Sequence, residues 1–171
     1  QVIDTAAEQF GRVDVLVNNA GGPPRVMADA ASPRLVEAIV GLNLLAPFYC
    51  AQAAHDVMVR QAQGGAIVNI GSVSGLRPSP GTAAYGAAKA GLVNLTATLA
   101  VEWAPAVRVN CVSAGLLLTD AGDEHYGGPD ALDRVAATVP LGRMGVPDDV
   151  AQACLFLASP AAAYISGSNL V

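Results

Sequence analysis

Tyr85 and Lys89 stand four residues apart in Tyr85-Gly86-Ala87-Ala88-Lys89. On a helix that separation stacks a phenol and an ammonium on one face, one turn apart. A free phenol titrates near about pH 10, and a cation held close favours the phenolate and lowers that value. The tyrosine can then exchange a proton with a substrate oxygen near neutral pH. Lys89 is the only lysine beside eight arginines, and a compact, rotatable ammonium suits both a phenol and a ribose hydroxyl better than a planar guanidinium does. A pattern this short also occurs as an ordinary surface pair, so the pair does not stand alone.

Ser72 lies thirteen residues before Tyr85, in Asn69-Ile70-Gly71-Ser72-Val73-Ser74-Gly75. At the end of a strand its hydroxyl can donate to a carbonyl oxygen and stabilise the negative charge that grows as hydride reaches carbon. A turn-forming serine in a Gly/Ser loop is the other reading, and the better one for Ser74. Asn18-Asn19-Ala20-Gly21 places small residues after an apolar run, where backbone can approach a ligand; a polar turn would look the same. Asn43 falls inside a long apolar helix, where its amide must be satisfied, and it is a candidate to organise a water or a neighbouring backbone group.

The elements that must hold these groups follow from periodicity. Val2, Ile3, Ala6, Ala7 and Phe10 recur at helical spacing and stop at Gly11, after which Val13 to Val17 form a short apolar run. The same alternation predicts a helix over 33–60 before a strand over 66–70, and a helix over 82–103 before a strand over 107–112. A last helix over 147–157 precedes a short strand over 169–171. Strands alternating with helices imply parallel strands joined by right-handed crossovers. Pro, Gly and acidic residues between Gly115 and Gly145 predict a long loop with one or two short helices, at the carboxyl ends of the strands where ligands gather.

With 53% apolar and 13% charged residues the 171-residue chain can bury one core as a single domain, residues 1–171. A net charge of -5 without charge blocks argues against a nucleic-acid or membrane partner. Cys50, Cys111 and Cys154 are far apart and odd in number, so neither a disulfide framework nor a metal site is expected. The absence of a basic, then apolar, N-terminal stretch, and the interruption of every long apolar run, predict a cytoplasmic protein.

Together, Leu16-Val17-Asn18-Asn19-Ala20-Gly21, Asn43, Ser72, the Tyr85/Lys89 pair and Arg108-Val109-Asn110-Cys111-Val112-Ser113-Ala114-Gly115 resemble the successive motifs of the short-chain dehydrogenase/reductase family. Pro140-Leu141-Gly142-Arg143-Met144-Gly145 and Ile165-Ser166-Gly167 extend the resemblance over nearly the whole chain. It implies an α/β, Rossmann-like doubly wound parallel sheet and a tetrad of Asn43, Ser72, Tyr85 and Lys89. In that family Tyr is the acid/base, Ser positions the carbonyl, Lys lowers the Tyr pKa and binds the nicotinamide ribose, and Asn supports a water-linked proton relay. The resemblance further implies NAD or NADP as cofactor, met by Asn19, Ala20, Gly21, Tyr85, Lys89, Leu117 and Thr119. It implies a small-molecule alcohol or ketone as substrate, and a homo-oligomer, dimer or tetramer, built on apolar helices such as 82–103.

The pattern departs from the family in two places. The first three strands and the glycine-rich turn that cradles pyrophosphate are not in the sequence, and without them the choice between NAD and NADP cannot be read. The reading is therefore of an N-terminally truncated fragment, carrying the tetrad without activity, and a non-catalytic remnant or interaction module is the alternative. An apolar edge at Val13 to Val17 is expected to make the isolated segment poorly soluble. Ala114 stands where the family usually has Pro, which is expected to loosen the loop beside the nicotinamide. A related dehalogenating fold keeps Arg where Lys89 stands and is disfavoured. Leu116, Leu117, Leu118, His125 and Tyr126 lie where a substrate would be covered.

Overall fold

A computed structural model describes residues 2–119 and 129–171. Four parallel strands form one sheet in the order β1 (Val15–Asn18), β2 (Gly65–Ser72), β3 (Val107–Ala114) and β4 (Asn169–Leu170). Parallel neighbours need long crossovers. Helix α1 (Val2–Phe10) leads into β1, and α2 (Pro33–Val40) and α3 (Ala46–Met58) join β1 to β2. Helix α4 (Ala83–Glu102) joins β2 to β3, and α5 (Pro129–Ala136) and α6 (Pro147–Ala158) lie between β3 and β4.

The two sheet faces have separate cores. On one, Ile67, Val107 and Val109 pack against Ala51, Ala54 and Met58 of α3, Leu99 and Ala100 of α4, and Ile3 of α1. On the other, Val68 and Val112 pack against Leu157 of α6 and Ala162. Each of the Ile, Val, Leu and Met side chains removed from water here contributes roughly 1.5–3 kcal/mol. Helices covering both faces explain why β2 and β3 read as continuous apolar runs.

Buried polar groups tie the layers together. The Asn18 amide donates to Asn69 Oδ1 (2.8 Å) and to the Pro47 carbonyl (3.2 Å), and the Asn69 amide donates to Thr96 Oγ1 (2.9 Å). One side-chain chain thus links β1, β2 and α4. The Arg108 guanidinium donates to the carbonyls of Leu157 (2.9 Å), Ile165 (3.3 Å) and Ser159 (3.4 Å), closing the C-terminal segment onto β3.

Three strand boundaries and the continuity of one helix differ from the sequence expectation. The first strand begins at Val15, because Val13 instead exchanges two hydrogen bonds with the Gln61 side-chain amide, at 2.8 and 2.9 Å. Strands β2 and β3 run two residues further than the apolar pattern, to Ser72 and Ala114, since their polar ends stay in register with each other. The helix expected over 33–60 is interrupted by a π-helical turn, Gly41–Leu45. By length and composition Pro33–Met58 would span a membrane, yet its Ala51, Ala54 and Met58 are buried against α1, α4 and the sheet.

Strand β1 pairs on one side only, and Val15 and Val17 remain 41% and 42% exposed. The carboxyl ends of β1, β2 and β3 emerge side by side, so Asn19, Ser72 and Gly115 open onto one edge of the sheet.

Candidate active site

Ser72 closes β2 and opens a 3-10 turn, Val73–Gly75, in which its Oγ accepts from the Ser74 amide at 3.2 Å. Helix α4 docks directly on that turn, and two glycines make the approach possible. A Cβ on Gly75 would lie 2.6 Å from the Ala90 amide nitrogen, and one on Gly86 would lie 2.7 Å from the Ser74 carbonyl oxygen. Bare backbone at both positions therefore brings Tyr85, in the first turn of α4, to Ser72. Ser72 and the Tyr85 phenol thus face the same space. Both line a cavity of about 490 Å³, together with Arg25, Arg77 and Leu116.

Lys89 lies behind the tyrosine, only 3% exposed. Its Nζ donates to the Ile70 carbonyl at 2.7 Å and sits 5.6 Å from the centre of the Tyr85 ring. Burial pushes the Lys89 ammonium below its ordinary pKa. The expectation that this cation lowers the Tyr85 pKa is corrected here. Burial of the phenol dominates and raises its pKa, with the Ser72 hydroxyl pulling back in part. The physical reason is that the ammonium is directed at a backbone carbonyl, while the phenol lies largely out of water.

Asn43 is fully buried in the π-helical turn. Its Oδ1 accepts from the Gly22 amide (3.0 Å), and its Nδ2 donates to the carbonyls of Gly22 (3.2 Å) and Ile39 (2.9 Å). The widened turn directs a helix asparagine toward the loop after β1, and the side-chain amide clamps that loop. Asn43 thus satisfies a neighbouring backbone, as its burial requires.

Asn19, Leu117 and Thr119 line a second, largely apolar cavity of about 790 Å³ with Ile70, Ala114 and residues of α6. Neighbouring residues of β2 and of the loop after β3 line the two cavities, Ile70, Ala114 and Leu117 this one and Ser72, Gly115 and Leu116 the Tyr85 cavity. Gly21 borders Lys89 and Asn43 directly: a Cβ there would meet Asn43 Oδ1 at 2.6 Å and Lys89 Nζ at 3.2 Å. Ala20 is exposed beside them and lines neither cavity. The loop after β3 is anchored at its base, where Leu118 N donates to the Gly145 carbonyl (2.9 Å) and Gly145 N to the Leu116 carbonyl (3.0 Å). His125 and Tyr126 lie outside the described residues.

The donor set fits a nicotinamide ribose. An ammonium has three N–H donors, and the Ile70 carbonyl takes one, leaving two beside the bare backbone of Gly21. Sequence reasoning did not single out Gly22, Gly75, Gly86, Arg25 or Arg77. Gly86 had a signal, as the small residue between Tyr85 and the rest of its helix turn; the other four act through contacts that only the fold creates.

Comparison with known proteins adds a family match, two relatives and a solved structure. The sequence profile described as enoyl-(acyl carrier protein) reductase matches residues 1–171. The chain is similar to the 3-oxoacyl-[acyl-carrier-protein] reductase of Synechocystis sp., with 40% identity over 99% of this chain and 67% of the relative. It is also similar to the L-rhamnose 1-dehydrogenase (NAD(P)(+)) of Azotobacter vinelandii, with 38% identity over 100% of this chain and 67% of that protein. A solved structure from Sinorhizobium meliloti, assigned as a short-chain alcohol dehydrogenase, superposes with a TM-score of 0.93 and 38% identity, covering 99% of this chain and 68% of the other. The chain spans about two thirds of the length of the relatives it matches.

Proposed function

Because the chain belongs to the short-chain dehydrogenase/reductase family, we propose that it is the catalytic part of an NAD(P)-dependent oxidoreductase interconverting a secondary alcohol and a ketone. One observation carries the reading: Ser72 and Tyr85 line one cavity, with the buried Lys89 ammonium between the phenol and the strand that presents Ser72.

Nicotinamide supplies or accepts the hydride when bound. In reduction, Tyr85 gives its proton to the substrate oxygen, and Ser72 hydrogen-bonds that oxygen as negative charge develops on it. A phenol with a raised pKa is fully protonated at neutral pH and ready to donate. Lys89 holds the phenol's side of α4 to β2 and offers its other donors to a ribose hydroxyl. Asn43 fixes the Gly22 backbone and with it the loop that passes Lys89. Asn19, Gly21, Leu117 and Thr119 are proposed to border the nicotinamide, Asn19, Leu117 and Thr119 from the lining of the largely apolar cavity and Gly21 from beside Lys89.

A cytoplasmic setting and a homo-oligomer belong to the same proposal. Supporting the latter, Ala83, Ala87, Ala90, Ala97 and Val101 form an exposed stripe along α4. The test of the activity is isotopic: the intact protein, given a ketone panel and nicotinamide deuterated at its transferable position, should place deuterium on the carbinol carbon of the product. Consumption of no ketone, or product without the label, would refute it.

A further inference from the structure

Resting on that reading, we infer that the alcohol or ketone bound at Tyr85 carries a carboxylate or phosphate, recognised by Arg25 and Arg77. Both arginines line the Tyr85 cavity, and no Asp or Glu lines it among the described residues. Three of the other six arginines are engaged, Arg12 with Asp14, Arg143 with Asp149 and Arg108 with backbone carbonyls; Arg34, Arg60 and Arg134 are not among the residues that line this cavity. Neither Arg25 nor Arg77 has an ion pair or side-chain hydrogen bond among the described residues. In a chain with fourteen acids and a net charge of -5, two guanidinium groups in one cavity with no acidic partner among the described residues set a local field opposite in sign to the net charge.

Their backbones are fixed to the site. The Arg77 amide donates to the Val73 carbonyl at 3.0 Å, on the turn that Ser72 opens. The Val26 amide donates to the Gly81 carbonyl at 2.9 Å, and the Arg25 stem crosses that glycine so closely that a Cβ on Gly81 would lie 3.0 Å from Arg25 Cγ. Pro23, Pro78 and Pro80 stiffen the same rim. The cavity's hydroxyls are largely occupied with each other, Thr82 Oγ1 donating to Ser79 Oγ at 2.8 Å and Ser74 Oγ to Ser79 Oγ at 3.3 Å. The guanidinium forks remain as the groups that can read a planar or tetrahedral anion by paired hydrogen bonds. Arg25 and Arg77 are specificity residues, and the chemistry stays with Ser72 and Tyr85.

The experiment is a calorimetric titration of the intact protein carrying Tyr85→Phe, which stops turnover. The probes are 4-oxopentanoate and its methyl ester, and hydroxyacetone phosphate and hydroxyacetone, at physiological salt. At least one anion should bind about tenfold or more tightly than its neutral partner. That preference should vanish in the Arg25→Gln/Arg77→Gln double variant, while neutral probes keep their affinity within about twofold. Which pair shows the preference distinguishes carboxylate from phosphate. Equal binding within both pairs, no binding of either anion, or a preference that survives the double variant would overturn the inference. The wild-type protein separates the two readings: turnover of neutral ketones without anion preference leaves the activity standing and removes the anion site. An arginine-dependent preference without any turnover does the reverse.

Discussion

Lys89 Nζ donates to the Ile70 carbonyl oxygen at 2.7 Å, two residues before Ser72. The bond joins α4, which carries Tyr85, to β2, which ends in Ser72, and it holds a buried cation 5.6 Å from the phenol ring. Lys89→Met removes both the tie and the charge. Turnover should fall by about a hundredfold or more, and Lys89→Arg should not restore it, because a planar fork cannot occupy the place of a compact ammonium beside Gly21. Steady-state kinetics on the intact protein checks this; wild-type turnover in Lys89→Met would contradict it.

The raised pKa of Tyr85 sets the direction of the pH profile. Reduction consumes a phenol proton that is present throughout, so its rate should be level between about pH 6 and 9. Oxidation needs the phenolate, whose fraction grows with pH, so its rate should climb across the same range. The folded state holds this proton at pH values where the unfolded chain releases it. The group's contribution to stability is thus fully present below about pH 10 and is lost as pH rises toward the folded pKa. Rate profiles in both directions, with coenzyme saturating, are the check.

Gly21→Ala should act on both partners of the loop. The added methyl would lie 2.6 Å from Asn43 Oδ1, which cannot retreat because Asn43 is fully buried and bonded to Gly22 and Ile39. The expected result is a loss of about tenfold or more in NAD(P)H affinity, read by fluorescence titration, through displaced Asn43 and Lys89.

Asn69→Ala breaks the side-chain chain from β1 to α4, leaving the Asn18 amide and the Thr96 hydroxyl each short of a buried partner. Stability should fall by about 2–4 kcal/mol. Thr96→Val, which removes a smaller share of the chain, should cost about 1–2 kcal/mol. Urea unfolding of the intact protein measures both, and equal costs would show that the three residues do not act as a chain.

Much of the site could be read from residue spacing, and the remainder had physical reasons to be hidden. Ser72 at a strand end and Tyr85/Lys89 on one helix face follow from the two periodicities alone, and the fold keeps both. The π-helical turn around Asn43 was invisible because Gly41-Leu42-Asn43-Leu44-Leu45 continues an apolar helical pattern without a break. The start of β1 was misplaced because the Gln61 amide, forty-eight residues away, takes the hydrogen bonds of Val13. The direction of the Tyr85 shift was reversed because burial is a property of the packed cavity, whereas the i,i+4 spacing reports only the neighbouring cation. Arg25 and Arg77 are fifty-two residues apart, and only the docking of the loop after β1 on Gly81 brings them to one cavity.

The most direct test of the account is Tyr85→Phe in the intact protein, with coenzyme affinity and turnover measured on the same sample. The account predicts loss of turnover by about a thousandfold, with NAD(P)H affinity held within about threefold, because the substitution removes the exchangeable proton and keeps the ring. Wild-type turnover in the variant would contradict the assignment of Tyr85 as the acid/base.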